Sequence, residues 1–298
     1  MPDISVVIVN FNGASFITEC LDALFNSQLN YTYEVILVDN ASTDQSFDVM
    51  APYLHRMTII QNTENTGFAF ANNQAFAIAK GKYLFLLNTD AVVAPNAIQL
   101  MMDEYEKHPE IGAIAPKLLN GDGTLQCPGS SFGHFRFKQN VRREVPFIAG
   151  AAVLITKKMM DAMNGMDENL FFYNDDVDMS RYLRLHGHPI VYLPQAEVVH
   201  YGGLSTNFRK VGSLIEGYRG GIYLAYKHYG CLVGHMYRFI LLIILIPSIL
   251  DKAIRGIWNQ TERTLLGGYL TVFRIALTND IYLDRVKAKM GVNACKKS

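Results

Sequence analysis

Cysteine is scarce in this chain of 298 residues: Cys20, Cys127, Cys231 and Cys295 are far apart, and no two form a Cys-x-x-Cys pair. That excludes a disulfide framework and a cysteine zinc site, and it suits a reducing compartment. Charge is also sparse, at 18% of residues, while half the residues are hydrophobic, so disorder is excluded and a sizeable core is available. There is no internal repeat and no low-complexity segment. The start, Met1-Pro2-Asp3-Ile4, lacks the positive segment and apolar core of a signal peptide. No Gly-rich, Lys-containing phosphate loop occurs near the N-terminus, which speaks against a nucleotidyltransferase. Long apolar runs are missing as well. The longest, Phe239–Ile246, reaches only Leu250 before Asp251, short of the roughly 20 residues that a spanning helix needs.

The charge that is present is segregated. Residues 1–199 carry 13 Lys/Arg against 22 Asp/Glu, a net of −9, and residues 200–298 carry 14 against 5, a net of +9. An acidic part suits metal and phosphate chemistry, because carboxylates are the usual ligands of hard cations. A basic, apolar tail suits an anionic surface. No nucleic-acid partner is expected.

The first 120 residues alternate between strand and helix signals. Ile4–Val9, Tyr33–Val38, Met57–Gln61, Lys82–Leu87 and Ile111–Pro116 read as strands. Helices are expected from Phe16 to Phe25, over Ser42–His55 and Thr66–Lys80, and from Pro95 to about His108. Such alternation predicts an α/β fold with a mainly parallel sheet flanked by helices. Residues 118–146 read as a long loop. A helix over Thr156–Asn164, another from the Asp175 cluster to Gly187, and two short strands, His188–Leu193 and Ala196–His200, follow.

In open α/β sheets ligands sit beyond the carboxyl ends of the strands. Polar residues there are Asn10 and Asn12, Asp39 with Asn40, and Asn88-Thr89-Asp90. Asp39 is suited to accept hydrogen bonds from a pyrimidine ring, and Asp44 to cap a helix. Asp90 is suited to anchor a divalent cation, although an Asn-Thr-Asp turn explains it equally well. Asn65, Gly67, Phe68, Asn72 and Asn73 surround a helix start, where amides attract phosphate or are simply capped. Asp175, Asp176 and Asp178 crowd three acids into four residues, which raises pKa values and suits a general base. Charge at a helix N-terminus is the plainer alternative. His200 precedes Tyr201-Gly202-Gly203.

The order of these motifs is more specific than any one of them. Val-Val-Ile-Val-Asn-Phe-Asn, Val-Asp-Asn-Ala-Ser-Thr-Asp, Asn-Thr-Gly-Phe-Ala-x-Ala-Asn-Asn, Leu-Leu-Asn-Thr-Asp, Phe-Phe-Tyr-Asn-Asp-Asp-Val-Asp-Met and Val-Val-His-Tyr-Gly-Gly-Leu-Ser follow one another to about residue 205. The chain resembles family 2 glycosyltransferases of the GT-A fold, most of all bacterial rhamnosyltransferases of cell-surface polysaccharide assembly. The resemblance implies a Rossmann-like mixed sheet over residues 1–205. The nucleotide-sugar half would cover about 1–117, the acceptor half 118–205, and a helical extension 206–298.

It further implies inverting transfer from a nucleotide-diphosphate sugar with Mg²⁺ or Mn²⁺. Asp39 would bind the base, Asp90 and His200 the metal, and Gly150-Ala151 the donor sugar, with Asp176 or Asp175 as base. Asn88 stands where the family's metal motif usually opens with an acid, and Asp175 where glutamate is common. The acceptor would be a saccharide or a polyprenyl-linked one. The tail would hold the protein on the inner face of a bacterial cytoplasmic membrane or form a homodimer interface. A catalytically inactive sugar-nucleotide-binding scaffold is the competing expectation.

Overall fold

The computed structural model describes residues 1–127, 135–138, 140–202 and 210–284. The chain divides into two compact units, one of residues 1–166 and 175–205, the other of residues 167–174 and 206–298.

The first unit is built on a nine-stranded mixed sheet. Its strands are β1 (Ile4–Asn10), β2 (Tyr33–Asp39), β3 (Thr58–Gln61), β4 (Tyr83–Asn88), β5 (Ala91–Val93), β6 (Ala113–Leu119), β7 (Arg143–Glu144), β8 (Ala152–Thr156) and β9 (Ile190–His200). The order is β3-β2-β1-β4-β8-β6-β9-β5, with β7 on β9. Strands β1 to β4 pair in parallel, β8 runs antiparallel between β4 and β6, and β6 pairs with β9 in parallel.

The β-branched run of β1 is buried on both faces, as a central parallel strand requires. Its period of two feeds two cores. Ile4, Val6 and Ile8 join Leu21, Leu24 and Met101 on one side; Val7 joins Val38, Leu86, Ala75 and Phe76 on the other. Helix α1 (Ile17–Phe25) buries Ile17, Cys20, Leu21 and Leu24 at helical spacing. Truncating either leucine to alanine is expected to cost about 2–5 kcal/mol, the usual range for a filled core site. Helix α3 (Phe68–Ile78) presents Ala69, Ala71 and Ala75 inward, and these small side chains let it lie close to the sheet.

Three differences from the sequence reading have physical causes. The helix expected over Ser42–His55 is a short α2 (Ser46–Met50) followed by a 3₁₀ segment, Ala51–Arg56, with Pro52 in its first turn. Proline lacks the N–H that would continue an α-helix. The two strands expected near residues 188–200 are one, β9. Its register against β6 slips so that Leu193 opposes Pro116 and Glu197 opposes Lys117. Residues 194–196 bulge out, which accommodates Pro194 without ending the strand. The stretch read as loop contains the end of β6, a tight turn over 120–124, helix α5 (Phe135–Lys138) and β7. Residues 128–134 and 139 of that stretch lie outside the described residues, as does Gly203-Leu204-Ser205. Helices α4 (Ala97–Lys107), α6 (Lys157–Ala162) and α7 (Asp175–Leu185) complete the unit.

The second unit holds a helix over Lys210–Arg255, broken by non-helical backbone at Gly230 (φ 80°), and a helix over Gln260–Thr278. The latter starts at Asn259, whose side chain accepts from the N–H groups of Thr261 and Glu262. Ile222, Leu241, Leu245, Val272, Ala276 and Ile281 form its core. Segment 167–174 belongs here because Arg219 donates to the carbonyls of Asn169 and Ile281, and Asp167 accepts from Tyr223 and Lys227. By length and composition alone, the apolar helix is long enough to cross a membrane, and little of it is buried. The twelve-residue run in the sequence is thus part of a longer helical element.

Candidate active site

The parallel register of β1 with β2 and β4 sets the site. Asn10 lies opposite Asp39, and Val9 opposite Asn88, so the polar residues at three strand ends share one edge. The chain moves outward from β1 through β2 to β3 and then returns to β4 on the other flank of β1. This is the topological switch at which α/β sheets open a crevice.

Asp39 is buried and held on both oxygens: Asn10 Nδ2 donates to Oδ1 at 2.8 Å, and the Ser42 N–H to Oδ2 at 3.0 Å. Ser42 Oγ accepts from Asn10 Nδ2 and from the N–H of Asn12, while Asn12 Oδ1 accepts from the N–H of Thr43. Asn12 and Ala41 hold positive φ, 53° and 65°, a conformation uncommon outside glycine that these side-chain bonds enforce. Asp44 is not the helix cap expected: Gln45 occupies that position. Its carboxylate instead joins the N–H of Ala14 to that of Ser46, and these bonds hold its pKa below the usual range.

Asn40, which the sequence reading named without a role, is a hub. Its Oδ1 accepts from Asn62, from the Thr66 N–H and from the Thr66 hydroxyl, and its Nδ2 donates to Asn65 Oδ1. Asn65 Oδ1 also accepts from the Gly67 N–H, which fixes the entry into α3. Gly67, at φ 84°, ends the turn, and no side chain caps the helix. Phe68 is the first helical residue. Asn72 faces inward, buried, with its Nδ2 donating to the Phe68 carbonyl. Asn73 clasps Met166 at both its N–H and its carbonyl, an architectural contact.

Asn88 and the acid cluster are connected through one dipeptide. The Asn88 N–H donates to the Ala151 carbonyl at 2.9 Å, and the adjoining Gly150 N–H donates to Asp176 Oδ2 at 3.3 Å. Asp176 Oδ1 accepts from the Val177 N–H at 2.8 Å. Asp175 opens α7 and is buried with Asp178; Asp176 remains partly exposed. Burial pushes both pKa values up. Desolvation is the main cause for both, and Asp175 also faces the charge of Asp176. An alanine at position 150 would bring its methyl to 3.6 Å from Asp176 Cβ, so glycine leaves room beside the carboxylate.

Asp90 and His200 meet at the opposite flank, where β5 pairs with the end of β9 and places Ala91 opposite His200. His200 Nε2 stands 3.3 Å from Asp90 Oδ1, and Nδ1 lies 2.7 Å from Gln126 Oε1. Among the described residues, no group of three or more His, Cys, Asp or Glu side chains is placed to hold a metal ion. Gln126 lay in a stretch read as loop and carried no local signal; only the fold brings it to His200.

A family model described as "Glycosyl transferase family 2" matches residues 5–163. An N-acetylglucosaminyl-diphospho-decaprenol L-rhamnosyltransferase of Mycobacterium tuberculosis is 24% identical over 232 residues, covering 66% of this chain and 76% of that protein. An uncharacterized protein of Sinorhizobium fredii is 23% identical over 228 residues, covering 68% of this chain, and this chain spans a quarter of that longer protein. Among solved structures, a mannosyltransferase of Pyrobaculum calidifontis in complex with GDP-mannose and Mn²⁺ shares the fold at TM-score 0.59. Its identity is 17%, covering 94% of this chain and 88% of that one.

Proposed function

Because the chain belongs to glycosyl transferase family 2, we propose that it is an inverting glycosyltransferase with Asp176 as its base. The observation that carries the reading is the run of contacts from Asn88 through Ala151 and Gly150 to Asp176. It brings a partly exposed carboxylate of raised pKa beside a strand end in the ligand crevice.

In this reading Asp39, Asn10 and Asn12 receive the nucleotide, and Asn65, Gly67, Phe68 and Asn72 shape the adjoining wall. Gly150 and Ala151 receive the donor sugar. The acceptor hydroxyl oxygen bonds to the anomeric carbon as the bond from that carbon to the diphosphate oxygen breaks. The hydroxyl proton passes to Asp176, and the electron pair leaves with the nucleoside diphosphate, inverting the centre in one step. Asp175 is the more deeply buried of the two, while Asp176 is partly exposed and can meet an acceptor hydroxyl.

The residues present fit a divalent cation. Asp90 Oδ1 and His200 Nε2, 3.3 Å apart, are a carboxylate oxygen and an imidazole nitrogen, and these two residues would hold the ion. Donor phosphates would complete the binding of such an ion, as is usual for Mg²⁺. When bound, the ion supplies neutralisation of the charge that develops on the leaving diphosphate.

The donor proposed is dTDP-rhamnose or a UDP-sugar, and the acceptor a saccharide or polyprenyl-linked saccharide of cell-surface polysaccharide. The mycobacterial relative, named for rhamnosyl transfer to a decaprenyl diphosphate-linked sugar, supports both. Membrane attachment is proposed through the apolar helix of the second unit. Leu232, Met236, Phe239, Ile243 and Leu250 are all more than half exposed, and Trp258 ends the series 82% exposed. The five helical positions, spaced three, four or seven residues apart, suit a helix lying in the interface of the cytoplasmic leaflet, and Trp258 follows just beyond it. The uncharged stretch Phe239–Leu250 is about 18 Å long, against about 30 Å of hydrocarbon.

The test is release of nucleoside diphosphate from dTDP-, UDP- and GDP-sugars, with and without acceptor, and with Mn²⁺ or EDTA. Acceptor-dependent release that EDTA abolishes is expected. Release unaffected by EDTA removes the metal, and no release with any donor favours an inactive scaffold.

A further inference from the structure

A histidine can hold a cation through Nε2 only if that nitrogen carries a lone pair and the proton sits on Nδ1. In this chain the direction is set by a series of groups beginning at Asp122, an exposed carboxylate held below its usual pKa by its bonds to Thr124.

A carboxylate only accepts, so the Thr124 hydroxyl donates to Asp122 Oδ1. Having given its one proton, Thr124 Oγ1 must accept, and it does so from Asn120 Nδ2 at 2.9 Å. That turns the Asn120 Oδ1 toward Gln126 Nε2, 3.0 Å away, which donates to it and also to the His200 carbonyl at 3.2 Å. Both acceptors face the same Gln126 nitrogen; a flipped amide would set oxygen against oxygen twice. Gln126 Oε1 is thereby committed to His200 Nδ1, 2.7 Å away. The Nδ1 proton follows, and Nε2 is the ring nitrogen that faces Asp90 Oδ1, at 3.3 Å. The tight turn that carries the series is closed by the Asn120 N–H to the Thr124 carbonyl and by Gly123, whose φ of 79° suits glycine.

We propose that Gln126 is a positioning residue for the metal site, holding His200 in the Nδ1–H tautomer through the Asp122–Thr124–Asn120–Gln126 series. The proposal rests on the metal reading above, but its central statement, which nitrogen bears the proton, is independent of any metal. Outer partners of this kind orient a ligand ring and commonly matter by 10–100-fold in metal affinity.

The experiment is a long-range ¹H–¹⁵N correlation of the metal-free full chain at a pH where the ring is neutral, with His200 assigned through His200→Gln. Protonated Nδ1 and unprotonated Nε2 are expected in the wild type, and a tautomer mixture in Gln126→Met. The same proteins are then titrated with Mn²⁺ and UDP by electron paramagnetic resonance. Gln126→Met is expected to weaken Mn²⁺ binding roughly 10-fold or more. An Nε2–H tautomer in the wild type overturns the proposal. So does Mn²⁺ affinity unchanged in Gln126→Met. If the wild type has the Nδ1–H tautomer yet no variant or wild type binds Mn²⁺, the metal reading fails while the tautomer assignment stands.

Discussion

Replacing Asp176 with asparagine removes one charge and the basic oxygens but almost no volume. The side chain accepts two backbone hydrogen bonds, from Val177 at 2.8 Å and from Gly150 at 3.3 Å. An asparagine oxygen can keep the shorter one. The longer bond is lost, at a cost of about 1 kcal/mol. Against that, the neutral amide relieves Asp175, whose pKa is raised first by burial and then by the charge of Asp176. The two effects are opposite in sign, so the change in folding stability is expected to be small.

Catalysis should not be spared. Loss of a general base lowers turnover by about 10²–10⁴, a barrier increase of at least about 2.7 kcal/mol. The assay is single-turnover transfer beside equilibrium binding of the nucleotide, with thermal unfolding as the control. Transfer should fall at least 100-fold with binding and melting temperature held. Asp175→Asn, which leaves the Asp176 carboxylate and its two backbone hydrogen bonds in place, should lose far less. Near-normal transfer in Asp176→Asn, or a larger loss in Asp175→Asn, refutes the assignment.

Transfer should rise with pH as Asp176 ionises, with a midpoint above the ordinary aspartate value of about 3.9; a midpoint at or below that value contradicts a buried base. Stability should move the other way. Both folded-state pKa values are raised, so the stability present at low pH is lost as pH rises through them, and Asp176→Asn should flatten that slope in denaturant melts taken across pH. Gly13→Ala would put a methyl 2.3 Å from Asn10 Oδ1, whose amide is tied to Asp39 and Ser42. Overpacking of roughly 1–3 kcal/mol and weaker nucleotide binding are expected, read by calorimetry; an unchanged affinity would separate Asn10 from the nucleotide. Paired Phe239→Glu and Ile243→Glu, at exposed positions, should abolish co-sedimentation with anionic liposomes without lowering the melting temperature, and retained binding would refute the membrane face.

What the sequence by itself determined is whatever short-range pattern controls. The run of β-branched residues in β1, the helical spacing of Ile17, Cys20, Leu21 and Leu24, and the polar residues closing β1, β2 and β4 are all local. Local order was enough to recover the α/β alternation and to put Asp39 and Asp90 at or just beyond strand ends. The mixed sheet itself and its GT-A relatives agree with the sequence reading.

The tertiary structure decided everything that depends on pairs far apart in the chain. Val9 meets Asn88, and Asp90 meets His200, only because strands align in register. Gln126 reaches His200 across 74 positions. Asn40 gathers the entry to α3 because β2 and β3 pair in parallel and end together. Residues of β5 and β7 are too few to show a period of their own, and they become strands because β9 offers them unpaired backbone. The acid cluster is sorted in the same way: all three are acids in one helical turn, and burial, which no local pattern encodes, covers Asp175 and Asp178 and leaves Asp176 partly exposed.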